Sequence, residues 1–259
     1  MSNIYDIPHS YHDITEVLPP FRKRVEKKGK VRDVFPRPKH LPKPKIDLEW
    51  GRLPNTKALG IEPRTIDAKA AIQARGGEKE ALDRLEHYFF ESLALQEYKH
   101  TRNGLLGEDY SSKLSLWLWN GCISPRMIYW KVKDFEKEVK KNQSTYWLIF
   151  ELIWRDYFKY IALKHGNKIF QLHGIGSSER RWELDQERFE RWANAETGIP
   201  FIDANMLELN LSGFMSNRGR QNVASFLSKE LQLDWRMGAE YFESMLIDYD
   251  VASNYGNWM

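Results

Sequence analysis

Asp248 and Asp250 lie two residues apart in "IDYDVASNYGNW", with Asn254 and Trp258 following within the next ten positions. Carboxylates so placed accept N–H bonds or neutralise a cation. The stretch "SGFMSNRGRQNVASFL" supplies cations: on a helix Asn217, Arg220, Gln221 and Ala224 share one face, and Arg218 and Asn222 a neighbouring one. In "YWLIFELIWRDYF", Glu151 stands among Trp, Ile and Leu, with Trp154 and Arg155 three and four residues on. A desolvated carboxylate without a partner costs several kcal/mol. Glu151 is therefore half of a structural Glu–Arg pair or a carboxylate aimed at a ligand's N–H groups, and spacing leaves both open. Finally, "DYSSKLSLWLWNG" offers Ser111, Ser112, Lys113 and Ser115 just ahead of an apolar helix. Hydroxyls, main-chain N–H groups and a charge suit a phosphate, and equally a plain helix cap. Together the four stretches point to a large polar ligand, one carrying phosphates, at the centre of a helical domain.

The elements that must position these groups read as helices. In "GGEKEALDRLEHYFFESLALQEY", Leu82, Leu85, Tyr88 and Phe89 recur at three- and four-residue steps. "SPRMIYWKVKDFEKEVKK" has Ser124 as N-cap and Pro125 at the first helical position. "STYWLIFELIWRDYFKYIALKHG" starts at Ser144 or Thr145 and stops at Gly166; "DQERFERWAN", "DANMLELNLSG", "NRGRQNVASFLSKEL" and "RMGAEYFESMLID" complete the set. No stretch keeps strand alternation for long and no internal repeat is evident. The expectation is an all-α domain over 75–259, preceded by an irregular Pro/Lys-rich leader over 1–74.

Composition bounds the function. With 259 residues, 42% hydrophobic and 14% aromatic, the chain can bury a substantial core as one large domain or two small ones. Most of the ten tryptophans are expected in packing. No run of about 18 apolar residues exists, so no membrane span is expected, and the N-terminus lacks the basic and apolar regions of a secretory signal. The single Cys122 excludes an internal disulfide and suits an intracellular, reducing compartment. No metal site is expected. Net charge is only +3, yet residues 21–45 hold eleven Lys or Arg against Glu26 and Asp33. Such a segment can bind phosphates, although four prolines between Pro36 and Pro44 favour a solvated linker.

The combination "TGIPFIDANMLELNLSGFMSNRGRQNVASFL…LDWRMGAEYFESMLIDYDVASNYGNW" resembles the flavin-binding domain of the photolyase/cryptochrome family. "EYKHTRNGLLGEDYSSKLSLWLWNGCISPR" and "STYWLIFELIWRDYF" point within it to the DASH-type cryptochromes, and "LPPFRKRVE" is similar to that group's interdomain linker. The resemblance is strong from about residue 75 to Trp258. It implies an all-helical fold holding a U-shaped FAD non-covalently, fully reduced in its catalytic state. Blue light would drive an electron from it to a cyclobutane pyrimidine dimer flipped out of damaged DNA, and the electron would return. Single-stranded DNA is the implied preference, since flipping costs least there.

Carried over by motif, Tyr98 and the loop Ser111, Ser112, Lys113, Leu114, Ser115 correspond to FAD-phosphate contacts. Asn217 and Arg220 correspond to positions around the flavin ring, with Asp248 and Asp250 as carboxylates beside the arginine and Asn254 beside flavin N5. Glu151 corresponds to the carboxylate that hydrogen-bonds the damaged bases, Trp154 to the aromatic that packs on them, and Arg155 lies next to the cofactor. Arg102, Arg218 and Gln221 align with lesion or DNA-backbone positions. Trp258, Trp235 and Trp182 align with the tryptophans that conduct electrons to photo-oxidised FAD.

Departures accompany the match. Family members begin with an α/β domain that carries the antenna chromophore, so none is expected on this chain. They also continue past the final tryptophan, and Leu116 stands where relatives usually have proline. The expectation is a middle piece of a longer protein, completed by a further segment or partner chain, with FAD binding weakened in isolation. The competing expectations are a blue-light photoreceptor without repair activity and an inactive, cofactor-free remnant that binds nucleic acid.

Overall fold

The computed structural model describes residues 6–7, 10–36, 38–47, 49, 51–62, 67–176 and 181–259. Arg37 of the basic segment and Trp50 lie outside the described residues. Among those described there are eleven α-helices and no β-sheet. Two isolated bridges, Asp6–Lys30 and Glu183–Leu233, pin loops together.

The longest helix, α6 (Gln143–His165), organises the molecule. Its sequence is apolar nearly all round, which suits a helix packed on several sides; Leu148, Ile149, Leu152, Ile153, Tyr157 and Ile161 are buried. Against it lie α1 (Leu18–Lys28), the short α3 (Tyr98–Thr101), α5 (Pro125–Glu138) and α11 (Val251–Trp258). With α2 (Glu78–Glu86) they build one core, in which Phe21, Leu85, Phe89, Val132 and Phe135 are each 3% exposed or less. A second core joins α7 (Gln186–Ala193), α8 (Pro200–Ser212), α9 (Asn217–Ser225) and α10 (Trp235–Met245) around Trp192, Met206, Val223, Leu227 and Phe242. Each such side chain contributes about 1.5–3 kcal/mol by leaving water. The last helix, α11, packs on both α6 and α10, so the terminal stretch with Asp250 and Asn254 sits where the two cores meet.

Ser124 caps α5 as expected, accepting from the Arg126 N–H. The start of α6 differs: Asn142 is its N-cap, and its side chain accepts from the N–H groups of both Ser144 and Thr145, while Thr145 reaches back to the Asn142 N–H. This reciprocal box satisfies three main-chain N–H groups. The leader is not irregular throughout. In α1, Pro19 and Pro20 occupy the first turn, where their missing N–H groups break no bond. Leu18, Phe21 and Val25 then recur at helical spacing and are buried, with Phe21 against Tyr157 and Tyr160 of α6. Lys164 and Tyr146 of α6 hold Glu16 and Glu26 at either end of this docked segment. Among the described residues no helix is long and apolar enough to cross a membrane, and no cluster of His, Cys, Asp and Glu could hold a metal ion.

Candidate functional site

The Ser111–Ser115 loop runs into α4 (Ser115–Leu118), a single turn. Ser112, Lys113 and Leu114 are buried, Ser111 is half-buried and Ser115 is exposed. Lys113 adopts a left-handed φ of 54°. Its ammonium points back into the protein, donating to the Gly107 and Glu108 carbonyls at 3.2 and 2.6 Å and lying 3.4 Å from the Tyr110 ring centre. Burial, reinforced by nearby Arg84, pushes its pKa down to about 7. What the loop offers a ligand is therefore hydroxyl and main-chain N–H groups rather than that charge. A left-handed residue followed by Leu114 in helical conformation is the alternation that curls successive N–H groups into an anion-binding concavity.

Facing this loop is the start of α9. Ser216 caps it, and Gly219 lets it approach α8 closely: a Cβ there would lie 2.2 Å from the Asn205 side-chain Oδ1. Arg220 donates from Nη2 to both Asp248 oxygens at 2.9 and 3.0 Å and from Nε to the Met215 carbonyl. Asp248 thus pairs with the arginine as its spacing allowed. Asp250 instead caps α11, accepting from the Ser253 N–H. Asn217 and Gln221 are exposed on the rim, with Arg220 half-buried beneath them. Tyr110 and Glu208 complete the cluster. Burial raises both pKa values, with Glu208, Arg220 and Asp248 acting on Tyr110, and Lys113 and Arg220 opposing the rise at Glu208. Among the described residues the buried Tyr110 hydroxyl has no hydrogen-bond partner. An orphan hydroxyl beside an ion pair is a place where a polar ligand fits. Asn254, half-buried, donates to the Ala239 carbonyl at 2.9 Å, leaving its carbonyl end as an acceptor.

A second group of polar side chains lies on α3 and α6. Glu151 pairs with Arg102, not with Arg155. Burial raises the Glu151 pKa while Arg102 opposes the rise. Tyr98, buried next to them, is raised by burial and by the Glu151 charge. Arg218 donates to Asn103 at 3.0 Å, which draws the start of α9 towards Arg102. Trp154 stacks on Phe158 at 5.2 Å and 27°. Arg155 reaches the Leu118 carbonyl at 3.5 Å and lines two clefts. One, about 320 Å³, runs between α6 and α11 past Lys159, Phe170 and Asp250; the other, about 230 Å³, lies against Trp119–Pro125.

The aligned tryptophans occupy one flank. Trp258 meets Phe242 edge-on at 5.1 Å and lies on Gly238, where a Cβ would come within 2.3 Å of the indole. Trp235, buried, donates from its indole to the Leu172 carbonyl and meets Tyr255 at 6.1 Å. Half-buried Trp182 adjoins the Glu183–Leu233 bridge, which holds it close to the start of α10.

The pattern did not reveal Arg84, Asp109, Tyr110 or Glu208. For Arg84 a signal existed: it lies on the stripe Ala81, Leu85 and Tyr88 that runs along α2 into the turn after it, where a charge is out of place unless clamped. As a whole these elements present loop N–H and hydroxyl groups, the Arg220–Asp248 pair, and the polar side chains of Asp250 and Asn254, a donor and acceptor set suited to a polar, phosphate-bearing ligand.

Comparison with known proteins agrees with that chemistry. Residues 147–259 match the family model described as the FAD binding domain of DNA photolyase. The chain is 53% identical to a cryptochrome DASH of Danio rerio over 98% of its own length and 49% of that protein's. Its fold matches the crystal structure of a Synechocystis cryptochrome with a TM-score of 0.92 at 51% identity, covering 97% of this chain and 52% of that one. It matches a bacterial class III photolyase of Agrobacterium tumefaciens with a TM-score of 0.81 at 27% identity, covering 96% and 52%. The chain spans about half the length of the curated relatives it matches.

Proposed function

The chain belongs to the photolyase/cryptochrome family and carries its FAD-binding domain, and from that premise we propose that it serves blue-light-driven repair of cyclobutane pyrimidine dimers in DNA, preferably single-stranded. Bound FAD in its reduced form would supply light-driven one-electron chemistry for opening the dimer, and the residues named below would hold it. In this reading residues 75–259 are the flavin-binding body and residues 1–74 an interdomain-linker-like leader. Tyr98 and the Ser111–Ser115 loop take the phosphate side. Asn217, Arg220, Asp248, Asp250 and Asn254 take the ring side, with Arg155 alongside. Arg102, Arg218 and Gln221 meet the lesion or the DNA backbone. Trp258, Trp235 and Trp182 carry electrons inward when the flavin is oxidised. A reducing intracellular compartment fits the single Cys122.

The observation that carries the repair reading is the half-buried Glu151, paired with Arg102 and three residues from the Trp154 ring. A carboxyl raised by burial keeps a proton at Oε more readily and can share it with a base carbonyl, while Trp154 offers the apolar face on which a flipped base packs. The test measures flavin content, photoreduction and splitting of a thymine-dimer oligonucleotide by the full chain, alone and co-expressed with the segments of a relative that it does not span. Glu151→Gln is expected to retain flavin and photoreduction and to lower splitting at least about tenfold. Photoreduction without splitting in the unsubstituted protein would instead assign it to light sensing, and absence of flavin would make it a remnant.

A further inference from the structure

We propose that Arg84 is the positioning residue of the phosphate-side loop: a buried guanidinium that sets the direction in which the loop's N–H groups point. The inference rests on the FAD reading of Ser111–Ser115. Arg84 is 5% exposed. Its Nε donates to the Ser112 carbonyl at 3.1 Å. Nη1 donates to the Glu108 and Asp109 carboxylates at 3.2 and 2.8 Å. Nη2 donates to the Glu108 and Ser111 carbonyls, both at 3.1 Å. All five donors of the fork are thus engaged, three of them by main-chain carbonyls of a single loop.

The direction follows from peptide geometry. In a planar trans peptide the C=O of one residue and the N–H of the next point opposite ways. Because the Ser111 and Ser112 carbonyls are turned onto Arg84, the N–H groups of Ser112 and Lys113 are turned away from it. The Lys113 N–H is the first of the concavity assigned to the phosphates, and the Ser112 N–H leads into it. Lysine could not do the same, since a point charge cannot span three carbonyls in one plane. From outside, Asp109 also bonds His87 at 3.2 Å, and His87 bonds Glu91 at 3.0 Å, so the clamp is anchored to the π-helical turn His87–Glu91 that extends α2. From inside, Lys113 donates to the Glu108 carbonyl that Arg84 also holds. None of these groups needs to touch the cofactor; they fix the backbone that does.

The test uses the full chain, with completing segments if these are needed for flavin uptake, and two variants. Arg84→Lys keeps charge and loses the fork. Asp109→Asn keeps shape at a partly exposed position and guards against an Arg84 variant that does not fold. FAD affinity of the flavin-free protein is measured by fluorescence quenching, and amide hydrogen exchange is followed over residues 107–115 and over the two cores. Arg84→Lys is expected to weaken FAD binding about tenfold or more, and Asp109→Asn about threefold, with faster exchange confined to 107–115. Faster exchange there with unchanged FAD affinity in both variants would overturn the proposal, because the clamp would then be only structural. Faster exchange throughout both cores would overturn it as well, making Arg84 a general core support. If the unsubstituted protein takes up no FAD while Arg84→Lys still loosens 107–115, the clamp geometry survives and the FAD reading falls, and the positioning role falls with it.

Discussion

Replacing Arg220 with methionine should destabilise the chain more than replacing Asp248 with asparagine, although both break the same ion pair. The asymmetry lies in burial: the Asp248 side chain is 2% exposed and that of Arg220 25%. Without Arg220, a carboxylate stays in an apolar surrounding with its main partner gone, and breaking a buried pair in this way costs about 3–5 kcal/mol. The packing of the guanidinium over the Phe214 ring, 5.5 Å away, is also lost. Asparagine at 248 preserves shape and one acceptor oxygen. Arg220 then keeps its bond to the Met215 carbonyl, its contact with Phe214 and some water, so the loss is about 1–2 kcal/mol. The difference of about 2 kcal/mol corresponds to roughly 4–8 °C in melting temperature for a chain of this size. Urea unfolding of the flavin-free variants, with m-values compared, gives the two numbers directly. Equal losses, or a larger loss for Asp248→Asn, would mean that the carboxylate is not the buried, dependent partner, and the picture of Arg220 as its neutraliser would be wrong.

Other perturbations act on single features of the same framework. The His87 pKa is raised, chiefly by Glu91 and, against burial, by Asp109. Its pairs therefore contribute fully below the unfolded value of about 6.5 and the contribution is lost as pH rises through the folded value. His87→Gln should lower the melting temperature by about 1–3 °C near pH 5.5 and hardly at all near pH 9; a penalty independent of pH would remove charge from the account. Gly238→Ala puts a Cβ 2.3 Å from the Trp258 indole, an overpacking of about 1–3 kcal/mol, and should shift the tryptophan emission spectrum; an unshifted spectrum with unchanged stability would mean that the ring moves aside freely. Trp235→Phe loses the bond to the Leu172 carbonyl, about 1 kcal/mol, and in the flavin-loaded protein should slow photoreduction while FAD stays bound; an unchanged rate would leave Trp235 a packing residue.

How far the sequence could be read depends on whether the deciding partner is near in the chain or far. Helices from 78 onward follow from three- and four-residue spacing because their apolar faces are local patterns, and Ser124–Pro125 is a complete cap in two residues. α6 starts at Gln143 rather than at Ser144 or Thr145, because Asn142, Ser144 and Thr145 can all cap and only the reciprocal bond between Asn142 and Thr145 decides. The docked α1 was hidden in plain view, since Leu18, Phe21 and Val25 keep helical spacing inside a stretch whose proline and lysine content reads as linker.

Side-chain pairings were less legible than the helices that carry them. Glu151 has Arg155 four residues on, the partner that helical geometry offers first, yet packing of α3 on α6 brings Arg102 from 49 residues away. Arg155 is left at the junction of two clefts. Lys113 looked like a charge offered to a ligand, but its left-handed backbone turns the ammonium onto the carbonyls behind it. Conversely Arg84 looked like an ordinary helix residue, and its place on an apolar stripe was the only sign of a clamp. A charge in a stripe must be neutralised somewhere, but the stripe does not say by what. Glu151 and Arg84 share that sign; one is answered by a side chain and the other largely by main-chain carbonyls. Only the second kind of answer fixes a backbone, which is why the residue with the least obvious chemistry is the one best placed to shape the Ser111–Ser115 loop.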